Sequence, residues 1–283
     1  MMTARRHRMA SGCLLLAAML ASCQDSADSR AAASKSRAVA ASNSYIEAAA
    51  VDLLGDDAEV IRLAEPGMCP GHFDIRPSQV RALRTCRLLL RFDFQEALDG
   101  RLSGLAEGGL TIIPVRAPGG LCEPSNYLDV CHQVAETFTT FGLLSEPGAQ
   151  SALDRITRRL AQREAWCRER MEQSGWAGRP VVCSTHQEAF CRWLGLEVAA
   201  TFSGADTASI SEIERTVRTG RQAQIDAVIA NLPEGRRLAD ALGQRLGAQV
   251  VVFGNFPAGA SGHLSFDELL MANVNALAEL PND

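Results

Sequence analysis

The sequence predicts an α/β protein of two lobes, each a mainly parallel four-stranded sheet flanked by helices, joined by one long helix. Three observations predict it. Short apolar runs alternate with amphipathic stretches from Ala38 onward, the same scheme recurs in the second half, and residues 149–173 between the halves contain neither Gly nor Pro. Strands that alternate with helices imply parallel sheets covered on both faces.

The elements follow in order. Strands are predicted at 38–41, 59–64, 88–92 and 110–115, with helices at 45–54, 77–85, 94–105 and 127–141 between and after them. Gly55 stops the first helix, Glu65-Pro66-Gly67 turns the chain after the second strand, and Pro77 suits a first helical turn. Pro118-Gly119-Gly120 ends the fourth strand segment. The second half offers strands at 180–185, 197–202, 224–230 and 248–253 and helices at 187–194, 210–219, 234–246 and 265–280. Gly195 and Gly247 sit just past helix ends, and Ser265 with Glu268 three residues on is a capping pattern. Along 149–173, about seven turns, Leu153, Ile156, Leu160, Cys167 and Met171 form one apolar stripe and arginines occupy the other side. Such a helix acts as a stiff strut rather than a loose hinge.

The leading residues have another purpose. Arg5, Arg6, His7 and Arg8 precede an apolar run to Leu20, followed by Leu20-Ala21-Ser22-Cys23. A basic start, a short apolar core and small residues before a cut describe a secretory signal, and the run is shorter than the roughly 20 residues that a membrane span needs. The tetrad resembles the bacterial lipobox, which implies that Cys23 carries lipid. Gln24 follows where an aspartate would favour inner-membrane retention. The expectation is a periplasmic or cell-surface lipoprotein, held at the outer membrane if the cell is Gram-negative. The organisation is therefore signal 1–22, flexible tether 23–36 (Ser- and Ala-rich), first lobe 37–148, linking helix 149–175 and second lobe 176–283.

Formal net charge is −5, and −8 once Arg5, Arg6 and Arg8 are removed. An acidic chain with 5% aromatic residues argues against a nucleic-acid partner and favours a cationic ligand. Of nine cysteines, seven remain after the signal and Cys23 are set aside. An odd number outside the cytoplasm leaves at least one unpaired within the chain. No Cys-x-x-Cys or zinc-ribbon spacing occurs.

Open parallel sheets bind ligands beyond the carboxyl ends of their strands. There the sequence places Met68-Cys69-Pro70-Gly71-His72-Phe73-Asp74, Asp93, Cys122-Glu123, His186, Asn231 and Gly254-Asn255. One histidine per lobe, His72 and His186, ends a strand, and neutral imidazoles from facing lobes can clamp a transition-metal ion. His132 falls within a predicted helix and His263 in a Gly-rich loop, which suit structural or exposed roles.

These residues carry a family resemblance. Ala40-Ala41-Ser42-Asn43-Ser44-Tyr45, Glu65-Pro66-Gly67, His72-Phe73-Asp74-Ile75-Arg76-Pro77 through Leu83, Thr185-His186-Gln187-Glu188-Ala189-Phe190, Gly195-Leu196-Glu197-Val198 and Gly247-Ala248-Gln249-Val250-Val251-Val252 stand in order along the chain. The chain resembles the metal-binding solute-binding proteins of zinc and manganese ABC transporters. The resemblance implies a non-catalytic monomer that captures a divalent transition metal as cargo, zinc first and manganese or iron(II) as alternatives. It also implies an ABC permease and its ATPase as partners.

His72 and His186 match two of the family's ligand positions. Ser125, in Glu123-Pro124-Ser125, stands where a histidine is usual, and Asn255 where an aspartate is usual. Cys122, Glu123 or Asn255 would then have to complete the metal shell. The alternative is a lipoprotein that keeps the receptor fold for an interaction role and binds little or no metal. No nucleophile motif or phosphate-binding Gly-rich loop supports an enzyme.

The anchor yields the first test. Cys23→Ala should release the protein from membranes, because each buried acyl CH₂ contributes about 0.8 kcal/mol. Absence of labelled palmitate on the wild-type protein would refute the assignment of Cys23.

Overall fold

A computed structural model describes residues 38–281 except 57, 67, 69–73 and 260–263. The signal segment, Cys23, the tether, Cys69, His72 and His263 lie outside the described residues.

The first half runs β1 (Ala38–Ala41), α1 (Ser44–Leu54), β2 (Val60–Arg62), α2 (Pro77–Leu83), β3 (Cys86–Phe92), α3 (Ala97–Arg101), α4 (Ser103–Ala106), β4 (Thr111–Val115) and α5 (Pro124–Thr140). The linking helix is α6 (Glu146–Gln173). The second half runs β5 (Pro180–Ser184), α7 (Glu188–Trp193), β6 (Glu197–Phe202), α8 (Ile210–Ala223), β7 (Ala227–Asn231), α9 (Arg237–Leu246), β8 (Gln249–Phe253) and α10 (Phe266–Ala278). The strands form two four-stranded sheets, ordered β2-β1-β3-β4 and β6-β5-β7-β8, with every pairing parallel. The predicted architecture is the observed one. Pro114 in β4 pairs opposite Arg91 in an edge strand, the sheet position where proline is tolerated.

Side-chain caps start the key helices. Asn43 Oδ1 accepts from the backbone N–H groups of Tyr45 and Ile46, both at 3.0 Å, and fixes the turn from β1 into α1. Ser145 Oγ accepts from Gly148 N at 3.2 Å, so α6 begins three residues earlier than predicted and takes Pro147 into its first turn. Ser265 caps α10, as expected, by accepting from Asp267 N.

Other predicted bounds shift as well, and two cases have a visible cause. The expected helix at 94–105 is broken into a 3₁₀ turn at Asp93–Gln95, then α3 and α4. Gln95 is drawn inward, where its Oε1 accepts from Phe92 N at 2.9 Å and from the Ser42 hydroxyl at 2.6 Å. Those bonds cost helical continuity and stitch the ends of β1 and β3 together. The strand expected from Gln224 begins at Ala227, because α8 continues to Ala223 and Gln224 closes it in the left-handed region at φ 50°. Gly220 does not end α8. It lets the helix approach its neighbours, since a Cβ there would lie 3.1 Å from Leu246 Cδ1.

Helix α6 buries the predicted stripe of Leu153, Ile156, Leu160, Cys167 and Met171. Its core is shared: one apolar cluster takes in Tyr45, Phe92 and Tyr127 of the first half and Phe190, Phe253 and Phe266 of the second. Phe266 of α10 stacks on Tyr127 of α5 at 4.1 Å between ring centroids and meets Tyr45 edge-on. Above this stack, Arg159 of α6 donates to Asp52 of α1 at 2.7 Å, and its Nε lies 3.1 Å from Asp267 of α10. Arg163 donates to the other Asp267 oxygen at 2.7 Å, and the Tyr127 hydroxyl donates to Asp52 at 2.6 Å. Burial alone would lower the Arg159 pKa, but the hydrogen bonds and charge of Asp52, with Asp267, hold it above the ordinary value.

Arg159→Ala leaves two largely buried carboxylates short of a partner and should destabilise the fold by about 2 kcal/mol. Arg192→Ala, which breaks an exposed pair with Glu188 one helical turn away, should cost only about 0.3–0.5 kcal/mol. Urea midpoints measure both, and equal shifts would contradict the assigned role of Arg159.

Candidate functional site

In each sheet the second and third strands of the spatial order carry chain connections that leave in opposite directions. A crevice opens at the carboxyl ends of such a strand pair, here β1/β3 in one lobe and β5/β7 in the other. At the first, Ser42 and Asn43 are buried, with Asn43 Nδ2 donating to the Ser42 hydroxyl at 3.0 Å. Asp93 Oδ1 accepts from Phe94 N at 2.9 Å and Ala117 N at 3.3 Å, which ties the ends of β3 and β4. These groups are occupied in holding loops.

Behind the crevice, the loops after β4 and β8 meet across the lobes. The Cys122 thiol donates to Gly254 O at 3.0 Å and lies 3.7 Å from Asn255 Oδ1. Asn273 of α10 fixes Gly254 from both sides, accepting from its N–H at 2.8 Å and donating to its carbonyl at 2.9 Å. Gln187, fully buried after β5, donates to Asn255 Oδ1 at 2.8 Å and to Asn231 Oδ1 at 3.1 Å. Its own Oε1 is buried without a hydrogen-bond partner among the described residues. Burial, and then the neighbouring Glu123 charge, push the Cys122 thiol well above the usual thiol range. The network is therefore built from neutral amides and a protonated thiol.

The carboxylic acids and the imidazole lie elsewhere. Burial raises the Glu123 carboxyl, whose oxygen faces Gly120 and the neighbourhood of Ala189 on α7. His186, in the 3₁₀ turn that follows β5, exposes 65% of its side chain. Its Nε2 stands 3.6 Å from Oε1 of Glu234, in the turn after β7. Glu234 Oε2 accepts from the Ser184 hydroxyl at 2.6 Å, and Ser184 Oγ in turn accepts from His186 N at 3.2 Å. A Cβ on Gly204, in the loop after β6, would lie 2.8 Å from Glu234 Oε1. The carboxylate thus sits in a seat made by the ends of β5, β6 and β7.

The structure brings Cys122 and Asn255 together and sets Glu123 beside the facing lobe, as neighbours in one interlobe region. It gives His186 a different partner. Among the described residues no three His, Cys, Asp or Glu side chains converge closely enough to hold a metal ion. Glu234 is the functional candidate missing from the sequence reading. It lies three residues past Asn231, the first residue credited to that strand end, and nothing in its local pattern marks it. The pairing of β5 with β7 is what brings it to His186.

The six described cysteines are all buried and unpaired. In reduced protein, brief maleimide treatment and peptide mapping should therefore find Cys86, Cys122, Cys131, Cys167, Cys183 and Cys191 unlabelled in buffer and labelled in urea. Prompt labelling of Cys122 in buffer would contradict its place in the network.

No protein-family model matches the chain, and no curated protein matches it in sequence. Solved structures do match. The manganese-bound periplasmic metal binding protein of candidatus liberibacter asiaticus superposes with a TM-score of 0.71 at 14% identity, over 86% of this chain and 98% of that one. Its cadmium-bound form gives the same values. A zinc-bound deletion mutant of ZnuA superposes with a TM-score of 0.71 at 13% identity, over 88% of this chain and 99% of that one. At these identities the likeness is one of fold. The chain therefore shares the fold of these periplasmic metal-binding proteins, which here consists of two four-stranded parallel sheets flanked by helices.

Proposed function

We propose that this protein is a lipid-anchored, extracytoplasmic receptor that captures a divalent transition-metal ion, zinc, and delivers it to an ABC permease driven by its ATPase. The observation that carries the reading is the position of His186. It is an exposed imidazole in the turn that follows the central strand β5, at the strand-end crevice, in a fold whose solved neighbours hold manganese, cadmium or zinc. Imidazole nitrogen with carboxylate oxygen suits zinc, and the acidic chain favours a cation. His72 of the first lobe is the opposing ligand in this reading. The shared core and the Arg159 ion pairs favour a small adjustment of the lobes on binding over a wide swing.

Cys122 and Asn255 are engaged with each other, Gly254 and Gln187. That observation favours one alternative, a receptor fold retained for an interaction role with little metal binding. Zinc titration of a soluble chain beginning after Cys23 separates the two. One equivalent should bind the wild-type protein, and His186→Ala should weaken binding at least tenfold, about 1.4 kcal/mol. No binding by the wild type would favour the alternative, and equal binding by His186→Ala would remove His186 from the site.

A further inference from the structure

We propose that Glu234 is the carboxylate ligand of the second lobe, forming with His186 a paired nitrogen–oxygen seat for the divalent metal ion. This rests on the metal-receptor reading above and deepens it.

The first argument is position. His186 and Glu234 follow β5 and β7, which are adjacent in the sheet and feed connections to opposite sides. They therefore flank the strand-end crevice of their lobe. Asn255 follows β8, an edge strand, and its amide is buried and bonded to Gln187. Glu234, by contrast, brings a carboxylate to the crevice itself.

The second argument is spacing. Two ligands of one tetrahedral zinc, bonded at about 2.0–2.1 Å, stand roughly 3.3 Å apart. The observed separation of His186 Nε2 and Glu234 Oε1 is 3.6 Å. It exceeds a good N–H···O hydrogen bond, which ends near about 3.2 Å. The pair is thus spaced more like two ligands of one ion than like a closed hydrogen bond.

Preorganisation is the third. Ser184 holds Oε2 at 2.6 Å and leaves Oε1 turned toward His186. A bonded second oxygen is the arrangement that orients a monodentate carboxylate ligand. Gly204 keeps the space: any side chain there would press on the same oxygen. The carboxylate keeps only 20% of its side-chain exposure, while the imidazole remains open to an arriving ion.

The test is zinc titration of the soluble chain beginning after Cys23, as wild type, Glu234→Gln, Gly204→Ala and Asp240→Asn. Removing an outer-shell partner costs about 10–100-fold in metal affinity, so losing a ligand should cost at least that. Glu234→Gln should therefore bind zinc at least about tenfold more weakly. Gly204→Ala should lower affinity in the same direction by displacing the carboxylate without neutralising it. Asp240→Asn removes a negative charge from an exposed pair with Arg236 in the same lobe and should bind as the wild type does. Cobalt(II) provides a second readout, because its visible spectrum should change in Glu234→Gln if the ligand set changes.

Wild-type binding with undiminished affinity and an unchanged cobalt spectrum in Glu234→Gln overturns the assignment and leaves the receptor reading standing. Absence of wild-type binding overturns both. An equal loss in Asp240→Asn would show a general charge effect and also overturns it. If Glu234→Gln fails to fold by circular dichroism, Gly204→Ala decides, and wild-type affinity in that variant overturns the proposal.

Discussion

The structure depends on a seam in which the two lobes share one core. Phe266 begins the last helix of the second lobe, yet its ring lies flat on Tyr127 of the first, and Tyr45 meets it edge-on. Stacked aromatic pairs contribute about 0.5–1.5 kcal/mol beyond the area they bury. Arg159 and Arg163 close the seam by joining Asp52 on one side to Asp267 on the other. Two positive and two negative groups balance there, so the partial burial of each is offset by the others. Pulling the lobes apart would expose the rings and part the arginines from one carboxylate or the other. The long helix is a strut because both lobes pack on it.

That seam determines what chemistry the interlobe region can hold. Close packing behind the crevice favours neutral groups, and Cys122, Asn255, Asn273 and Gln187 satisfy one another there almost completely. A carboxylate at that depth would need a cation or several donors to offset its desolvation. At the more open crevice edge, a charged side chain keeps part of its hydration, and there His186 and Glu234 stand. Position relative to the seam therefore separates the neutral set of Cys122, Asn255, Asn273 and Gln187 from the more accessible pair of His186 and Glu234.

The same sorting explains what was legible. The strands and most helices could be read from periodicity and punctuation, because their stabilising contacts are local in sequence or repeat with a regular period. Val39, Leu89, Val182 and Val228 sit in central strands buried on both faces, and their apolar runs say so without a partner being known. Gln95 and Gln224 mark where local reading failed. Gln95 left its helical run for bonds to Ser42 and Phe92, and Gln224 took the left-handed conformation that ends α8.

The sequence by itself determined the two-lobed α/β plan, the strut and its buried stripe, the cap at Ser265, and His186 at a strand end. Each follows from the order of neighbouring residues. Only the tertiary structure decided that Cys122 and Asn255 serve the seam, and that Glu234 is the carboxylate beside His186. Those assignments depend on which strands lie side by side and on how far each side chain stands from water. The 47 residues between His186 and Glu234 carry no record of that distance until β5 and β7 pair.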